Sequence, residues 1–183
     1  NAAHGMSAGN WYHVAFVRRS TTVECFINGV SVGTGSIGTA TIFKGSEPLL
    51  IGTTGNGSSP ELYLADGHFD DIRVTQGVAR YTNNFTVPSR TLTDYEIDPY
   101  YNNVSLLLPL EGTAGDISTT DKSIYSTPVT FYGTAQLDNS QTKFGNTSLL
   151  LDGDSDYLTV GTASDWTFLH DGIDWTMECW IRF

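Results

Sequence analysis

Trp11-Tyr12-His13-Val14-Ala15-Phe16-Val17 is followed, after a polar break at Ser20-Thr21, by Thr22-Val23-Glu24-Cys25-Phe26-Ile27, then Asn28-Gly29, then Val30-Ser31-Val32-Gly33. β-Branched and aromatic residues dominate both runs, which favours extended chain packed on a half-buried surface. Asn-Gly between two such runs is the strongest short hairpin signal, because both residues tolerate positive φ in a type I′ turn. The stretch therefore predicts two antiparallel strands, Trp11–Arg19 and Thr22–Ile27, and a third from Val30 to Gly33.

The same punctuation continues outward. Ala40–Lys44, Leu49–Gly52, Leu62–Ala65 and His68–Thr75 read as strands separated by Gly, Ser and Pro clusters. Gly77–Tyr81 suits a single helical turn. Residues 87–103, with Pro88 and Pro99 and no clean period, read as a linker. Beyond it, Val104–Leu110, Val129–Tyr132, Thr147–Asp152, Tyr157–Val160 and Trp175–Phe183 read as strands. In the last, Trp175, Met177, Cys179, Ile181 and Phe183 share one face and Thr176, Glu178, Trp180 and Arg182 the other, a period of two that buries one face. A dozen short strands without a useful amphipathic helix predict an all-β, antiparallel two-sheet sandwich.

Composition agrees and excludes some functions. The 183 residues are 39% hydrophobic and 12% aromatic but only 16% charged, with 9 Lys+Arg against 20 Asp+Glu. A net charge of −11 opposes a phosphate backbone, so nucleic acid is not an expected partner. No apolar run reaches the roughly 18 residues of a bilayer span, so membrane insertion is not expected either. The chain opens on Asn1-Ala2-Ala3-His4-Gly5, without the pattern of a leader. Cys25 and Cys179 are too few for a disulfide framework. Their strand patterns point both toward the core as reduced thiols, and a bridge is the alternative, since sequence gives no distance.

Several motifs together resemble the laminin-G-like domains of the concanavalin A-like lectin/glucanase superfamily. They are Trp11–Val17 with Cys25–Val30; Phe69-Asp70-Asp71-Ile72-Arg73-Val74-Thr75 with Gly77–Tyr81 and Asn84–Pro88; Asp98–Leu108; Lys143–Gly153; and Trp175–Ile181. The likeness spans nearly the whole chain and implies a jelly-roll sandwich. Its order is reversed, since elements that come last in the family occupy residues 1–98 here and those that come first occupy 101–183. The chain is then either the back half of one repeat and the front half of the next in a tandem array, or one permuted sandwich. The wording around the linker is similar to versions in bacteriophage tail and other virion proteins.

The resemblance implies a role as well. Glucanases of the superfamily carry a Glu-x-Asp-x-x-Glu or Glu-x-Asp-x-Glu strand, whose glutamates act as nucleophile and acid/base. Only Glu96-Ile97-Asp98 starts this way, and Tyr100 and Tyr101 stand where the second glutamate is needed. A non-enzyme is therefore expected. The expected function is a structural or adhesive module of a phage virion, in a tail or surface appendage, binding host-surface glycan and neighbouring virion or repeat subunits. The alternative is an extracellular carbohydrate-binding module of a secreted bacterial protein. Calcium is the expected cofactor, since relatives hold Ca²⁺ through an Asp at the position matching Asp70, with Asp71 as the alternative because neighbours on a strand point to opposite faces. Asp152, Asp154 and Asp156 alternate like the start of an EF-hand loop, but Tyr157 and Ala163 stand where that loop needs Gly and Glu. Turn solvation is the competing explanation for these three. Asp116 is a weaker candidate. Trp166, Tyr63, Tyr100 and Tyr101 are the aromatics outside the strongest core patterns, and sequence alone assigns them no sugar site.

Overall fold

The computed structural model describes residues 5–38, 46–54, 63–92 and 98–183. The expected strand at Ala40–Lys44, most of the loop before Pro60, and Glu96-Ile97 lie outside the described residues. Eleven strands are present among them: β1 (Tyr12–Arg19), β2 (Thr22–Ile27), β3 (Val30–Ser36), β4 (Leu49–Ile51), β5 (Asp66–Gln76), β6 (Val104–Leu108), β7 (Val129–Tyr132), β8 (Gln136–Asp138), β9 (Ser148–Asp152), β10 (Tyr157–Val160) and β11 (Trp175–Arg182). All pairings are antiparallel and form two sheets, so the expected two-sheet sandwich is the fold. The large sheet runs β3-β2-β1-β11-β5-β9-β8, with β6 also paired to β5; the small sheet runs β4-β10-β7. No helix of the described residues is long and apolar enough to cross a membrane.

The order of strands matters most at β11. It lies between β1 and β5, with Ala15 opposite Glu178 on one side and Arg73 opposite Glu178 on the other. Strands from residues 1–98 and from 101–183 thus alternate within one sheet. The last residue is tied to the first described stretch as well, since the Gly9 amide donates to the Phe183 carbonyl at 2.7 Å.

The large sheet is covered on both faces at its centre. Its inner face contributes Ile72, Val74, Leu106, Leu108, Leu137, Leu149 and Leu151, which pack on Ile51, Leu158 and Val160 of the small sheet. The outer face carries Ala15, Val17 and Phe26 under Ala79, Tyr81 and Phe85. The segment bearing these covering residues is not the expected helical turn but an extended strap. It docks because its aromatic rings find apolar surface: Tyr81 and Phe85 stack at 3.5 Å, and Phe85 meets Phe26 edge-on at 5.4 Å. Hydrogen bonds along the strap satisfy its backbone, with the Arg80 amide donating to Thr176 Oγ1 and the Phe85 amide to the Gly29 carbonyl.

This strap also covers the outer face of β11, where Thr176, Glu178 and Trp180 are each under 5% exposed. On the inner face Met177 and Cys179 pack against the main core, as the alternation of β11 leads one to expect of Cys179. Glu178 is enclosed by donors. Arg73 Nε and Nη2 donate to Oε1 at 2.9 and 2.7 Å, the Tyr81 hydroxyl donates to Oε2 at 2.6 Å, and His13 Nε2 lies 3.1 Å from Oε2. Burial opposes ionisation of this carboxyl, but the His13 hydrogen bond and the Arg73 charge outweigh it and hold the pKa at about 2. The second acid of the network, Asp98, takes bonds from Arg73 Nη1 and from both terminal nitrogens of Arg80. Two arginines thus face two carboxylates.

The Asn28-Gly29 turn is as expected, with φ of 49° and 76° at its two residues. Cys25 and Cys179 are free thiols on strands that are not neighbours, and burial raises the pKa of both.

Two expectations follow for stability. Gly29 has positive φ, and a Cβ there would run into the Phe85 carbonyl. Gly29→Ala should therefore cost about 1–3 kcal/mol, whereas Gly35→Ala, in open space on β3, should stay within about 0.5 kcal/mol. Urea unfolding of both variants checks this. Glu178→Gln removes one of the two carboxylates that the buried Arg73 pairs with and should cost about 3–5 kcal/mol. Because the folded pKa of Glu178 is depressed, its contribution is present above the unfolded value and is lost as pH falls from about 4.5 toward 2. Acid unfolding curves of the variant should be correspondingly flatter over that window.

Candidate functional site

β5 has eleven residues and more than one neighbour on its far edge. Asp66–Phe69 pair with β9, and Ile72–Thr75 pair with β6. Asp70 and Asp71 fall in the interval where β9 and β6 part, so the sheet forks there. On the opposite edge β5 bulges against β11: Trp180 faces Asp70 and Glu178 faces Arg73, so two residues of β5 stand across from Cys179 alone. Asp71 takes the strain with φ of 50°.

The bulge shifts the alternation by one, so Asp70 shares the outer face with Trp180, Glu178 and Arg73 across the pairing. Both aspartates are fully buried. Asp70 Oδ2 accepts the backbone amides of Lys143 and Phe144 at 2.9 and 3.2 Å. Asp71 Oδ2 accepts the amide of Leu92 at 3.1 Å. The other oxygen of each, Oδ1, is buried without a hydrogen-bond partner.

The electrostatics match that geometry. Burial raises the Asp70 carboxyl to about 6, against the amides that stabilise its charge. Burial and then the neighbouring Asp70 charge raise Asp71 to about 8. Glu111 adds a further negative field on both. It is held beside the fork by the Asn146 amide, which donates to Oε2 at 3.0 Å, while Thr147 Oγ1 donates to the Leu110 carbonyl at 2.7 Å. Two cations act on the pair: Lys143, whose Nζ sits 3.8 Å from the Trp180 ring centre and whose pKa burial lowers against the pull of Asp70, and Arg73, whose charge favours ionised Asp71. A buried carboxylate oxygen with no donor favours either a proton or a metal ion. Two such oxygens would supply part of a calcium shell of six to eight oxygens, whose other four to six positions would fall to backbone carbonyls and water. Among the described residues, no three His, Cys, Asp or Glu side chains converge in a metal-binding arrangement.

The other sequence candidates lie elsewhere. Asp156 is buried, and its Oδ1 accepts from the Thr134 amide at 2.5 Å and its Oδ2 from the Asp152 amide at 3.1 Å. Asp152 accepts from the Asp154 amide and from Thr134 Oγ1, and Asp154 itself is exposed. The β9–β10 turn thus uses the first two to tie itself to Gly133-Thr134. Asp116 closes a turn by accepting the Thr113 amide. Among the aromatics, Trp166 is buried with Nε1 donating to the Val160 carbonyl, Tyr100 lies under Arg80, and Tyr101 donates to the Lys122 carbonyl. Tyr63 is exposed.

Sequence reasoning missed the Glu178 network and the fork. The signal available for the first was Glu178 itself, the single acid of a largely apolar strand. It missed Asp121 too, a buried acid that accepts the Leu107, Ser123 and Thr127 amides and so shapes the loop after β6.

Residues 1–80 match the Laminin_G_3 family model, described as the concanavalin A-like lectin/glucanases superfamily. No curated protein and no solved structure matches the chain. The family match covers the strands from β1 through β5 and ends within the strap, and the two-sheet antiparallel sandwich is the architecture expected of that superfamily.

Proposed function

We propose that this chain is a non-catalytic carbohydrate-binding or adhesive module. The observation that carries the reading is the match of residues 1–80 to a concanavalin A-like lectin/glucanase model, set on a sandwich of two antiparallel sheets. The non-catalytic part is supported by the site chemistry. Glu178, the buried glutamate of the large sheet, has both oxygens committed to Arg73, Tyr81 and His13. Hydrolysis by the two-carboxylate route needs a pair facing across a substrate.

Residues 1–98 and 101–183 act in this proposal as complementary halves of laminin-G-like sandwiches, here completing one another through β11. In a tandem array the same complementarity lets neighbouring repeats or subunits be the partners. The virion setting, a phage tail or surface appendage, rests on the resemblance of the strap and linker wording; a secreted bacterial adhesin shares the same chemistry.

Calcium at the fork belongs to the proposal. Asp70 and Asp71 would each supply the oxygen that lacks a donor, and the ion would supply the positive charge that those buried carboxylates need. Calcium at about 100 times its dissociation constant adds about 2.7 kcal/mol, roughly 5–10 °C in melting temperature at this chain length. Asp70→Asn keeps an acceptor for the Lys143 and Phe144 amides and should abolish that increment. Equal melting of the unaltered chain in calcium and in EDTA would rule calcium out. For the glycan reading, co-sedimentation with bacterial cell-wall polysaccharide and with bacterial surface glycan on beads is the measurement. Retention released by soluble glycan is expected, and no retention on any glycan would refute the reading.

A further inference from the structure

A cavity of about 300 Å³ opens at the rim of the sandwich, away from the fork, lined by Gln76, Ser105, Tyr125, Thr127, Asp165 and Trp166 among others. It lies where the end of β5, the start of β6, the segment before β7 and the 3₁₀ stretch Ala163–Leu169 come together. Each wall is fixed from behind. Asp121 holds the Thr127 amide at 2.8 Å, and Ser123 Oγ holds the Tyr125 amide at 3.2 Å. The Thr162–Asp165 capping box holds Asp165 through Oδ2, at 2.7 Å to the Thr162 amide and 2.8 Å to its hydroxyl. The buried Trp166 is pinned by its bond to Val160.

These supports leave a set of unused groups. The Gln76 amide oxygen accepts from Ser105 Oγ at 3.3 Å, but its NH₂ has no partner among the described residues. The Thr127 hydroxyl, the Asp165 Oδ1 oxygen and the Tyr125 hydroxyl are also without partners among the described residues. Tyr125 is 58% exposed, so its ring is available as a platform. Beneath them is Gly161, at φ +61, where a Cβ would stand 2.6 Å from Asp165 Oδ2 and 2.8 Å from Thr127 Cγ2. A glycine there lets the carboxylate and the threonine close in together.

We propose that this rim cavity binds a single neutral pyranose, the terminal sugar of a glycan. The chemistry selects that class. A pyranose presents a C–H face to an aromatic ring and a ring of hydroxyls, which both donate and accept, at its edge. Asp165 and Thr127 accept from those hydroxyls, and the Gln76 amide and Tyr125 hydroxyl donate to them. No Lys, Arg or His is among the described lining residues, so a sialic acid, uronate or phosphate would meet Asp165 without a counter-charge. The volume is at the small end of ligand pockets, about 300 Å³ upward, which suits one ring rather than a chain. This site rests on the glycan-binding reading given above and names a place for it.

The test is a ¹H–¹⁵N NMR titration of the whole chain with methyl β-D-galactopyranoside, methyl β-D-glucopyranoside, methyl α-D-mannopyranoside and N-acetylneuraminic acid. Saturable shifts centred on Tyr125, Thr127, Asp165 and the Gln76 side chain are expected for at least one neutral sugar, at roughly millimolar affinity. Tyr125→Ala should weaken binding about tenfold or more and Thr127→Val a few-fold, while Tyr132→Ala, at another exposed ring, should leave it unchanged. Saturable shifts that map elsewhere would overturn this site and leave the glycan reading standing. Equal binding of N-acetylneuraminic acid would overturn the neutral selectivity. No saturable shift with any sugar would overturn the site, while the polysaccharide sedimentation decides the wider reading separately.

Discussion

A carboxylate placed in the middle of a sheet has to be matched charge for charge and bond for bond, and Glu178 is matched from three directions. His13 reaches it from β1, Arg73 from β5 and Tyr81 from the strap. None of these partners comes from its own half of the sequence. Removing any one leaves polar groups stranded where water does not reach, so the network fixes β11 in its slot and the strap above it. The apolar outer cluster of Ala15, Val17 and Phe26 is then sealed by Tyr81 and Phe85 as a consequence.

The slot carries the architecture. With β11 between β1 and β5, the central strands are paired on both edges and buried on both faces. β6, which reads Val-Ser-Leu-Leu-Leu, pairs among the described strands only with β5 and is still buried at every position, since the loop at Asp121-Lys122 bonds to Leu107 on its other edge. The slot also places the fork. β5 is longer than either neighbour on its far edge, and the interval between β9 and β6 falls at the bulge where two acids are buried together. The rim cavity is at the other end of the same strand, next to Gln76. One long strand therefore positions both candidate sites, one suited to a cation and one to a hydroxyl-rich ring.

Most of the two sheets was legible in the sequence because period-two patterns and turn residues are local. The hairpin at Asn28-Gly29, the strands at Tyr157–Val160 and Trp175–Arg182, and the two-sheet class all follow from them. β8 escaped because three residues, Gln136-Leu137-Asp138, are too few to show a period. Gly77–Tyr81 gave a helix-like spacing, but its apolar side chains find a sheet face to cover, and tertiary packing overrides so short a local preference. The burial of the second face of β11 was hidden for a related reason. Alternation says that two faces differ, but whether a distant segment covers the polar one is not written in the strand itself. The bulge at Asp71-Ile72 was hidden because a bulge depends on the partner strand. The groups around the rim cavity come from four separate segments, so no spacing reveals them.

The account stands on β11 being an integral strand between β1 and β5, so that both stretches of chain unfold together. Native-state hydrogen exchange across a denaturant series measures this residue by residue. Amides of Met177–Ile181 on β11 and of Phe69–Thr75 on β5 should share one exchange free energy equal to that of global unfolding. Loss of protection in β6 through β11 at a lower denaturant concentration than in β1, β2 and β5 would contradict it.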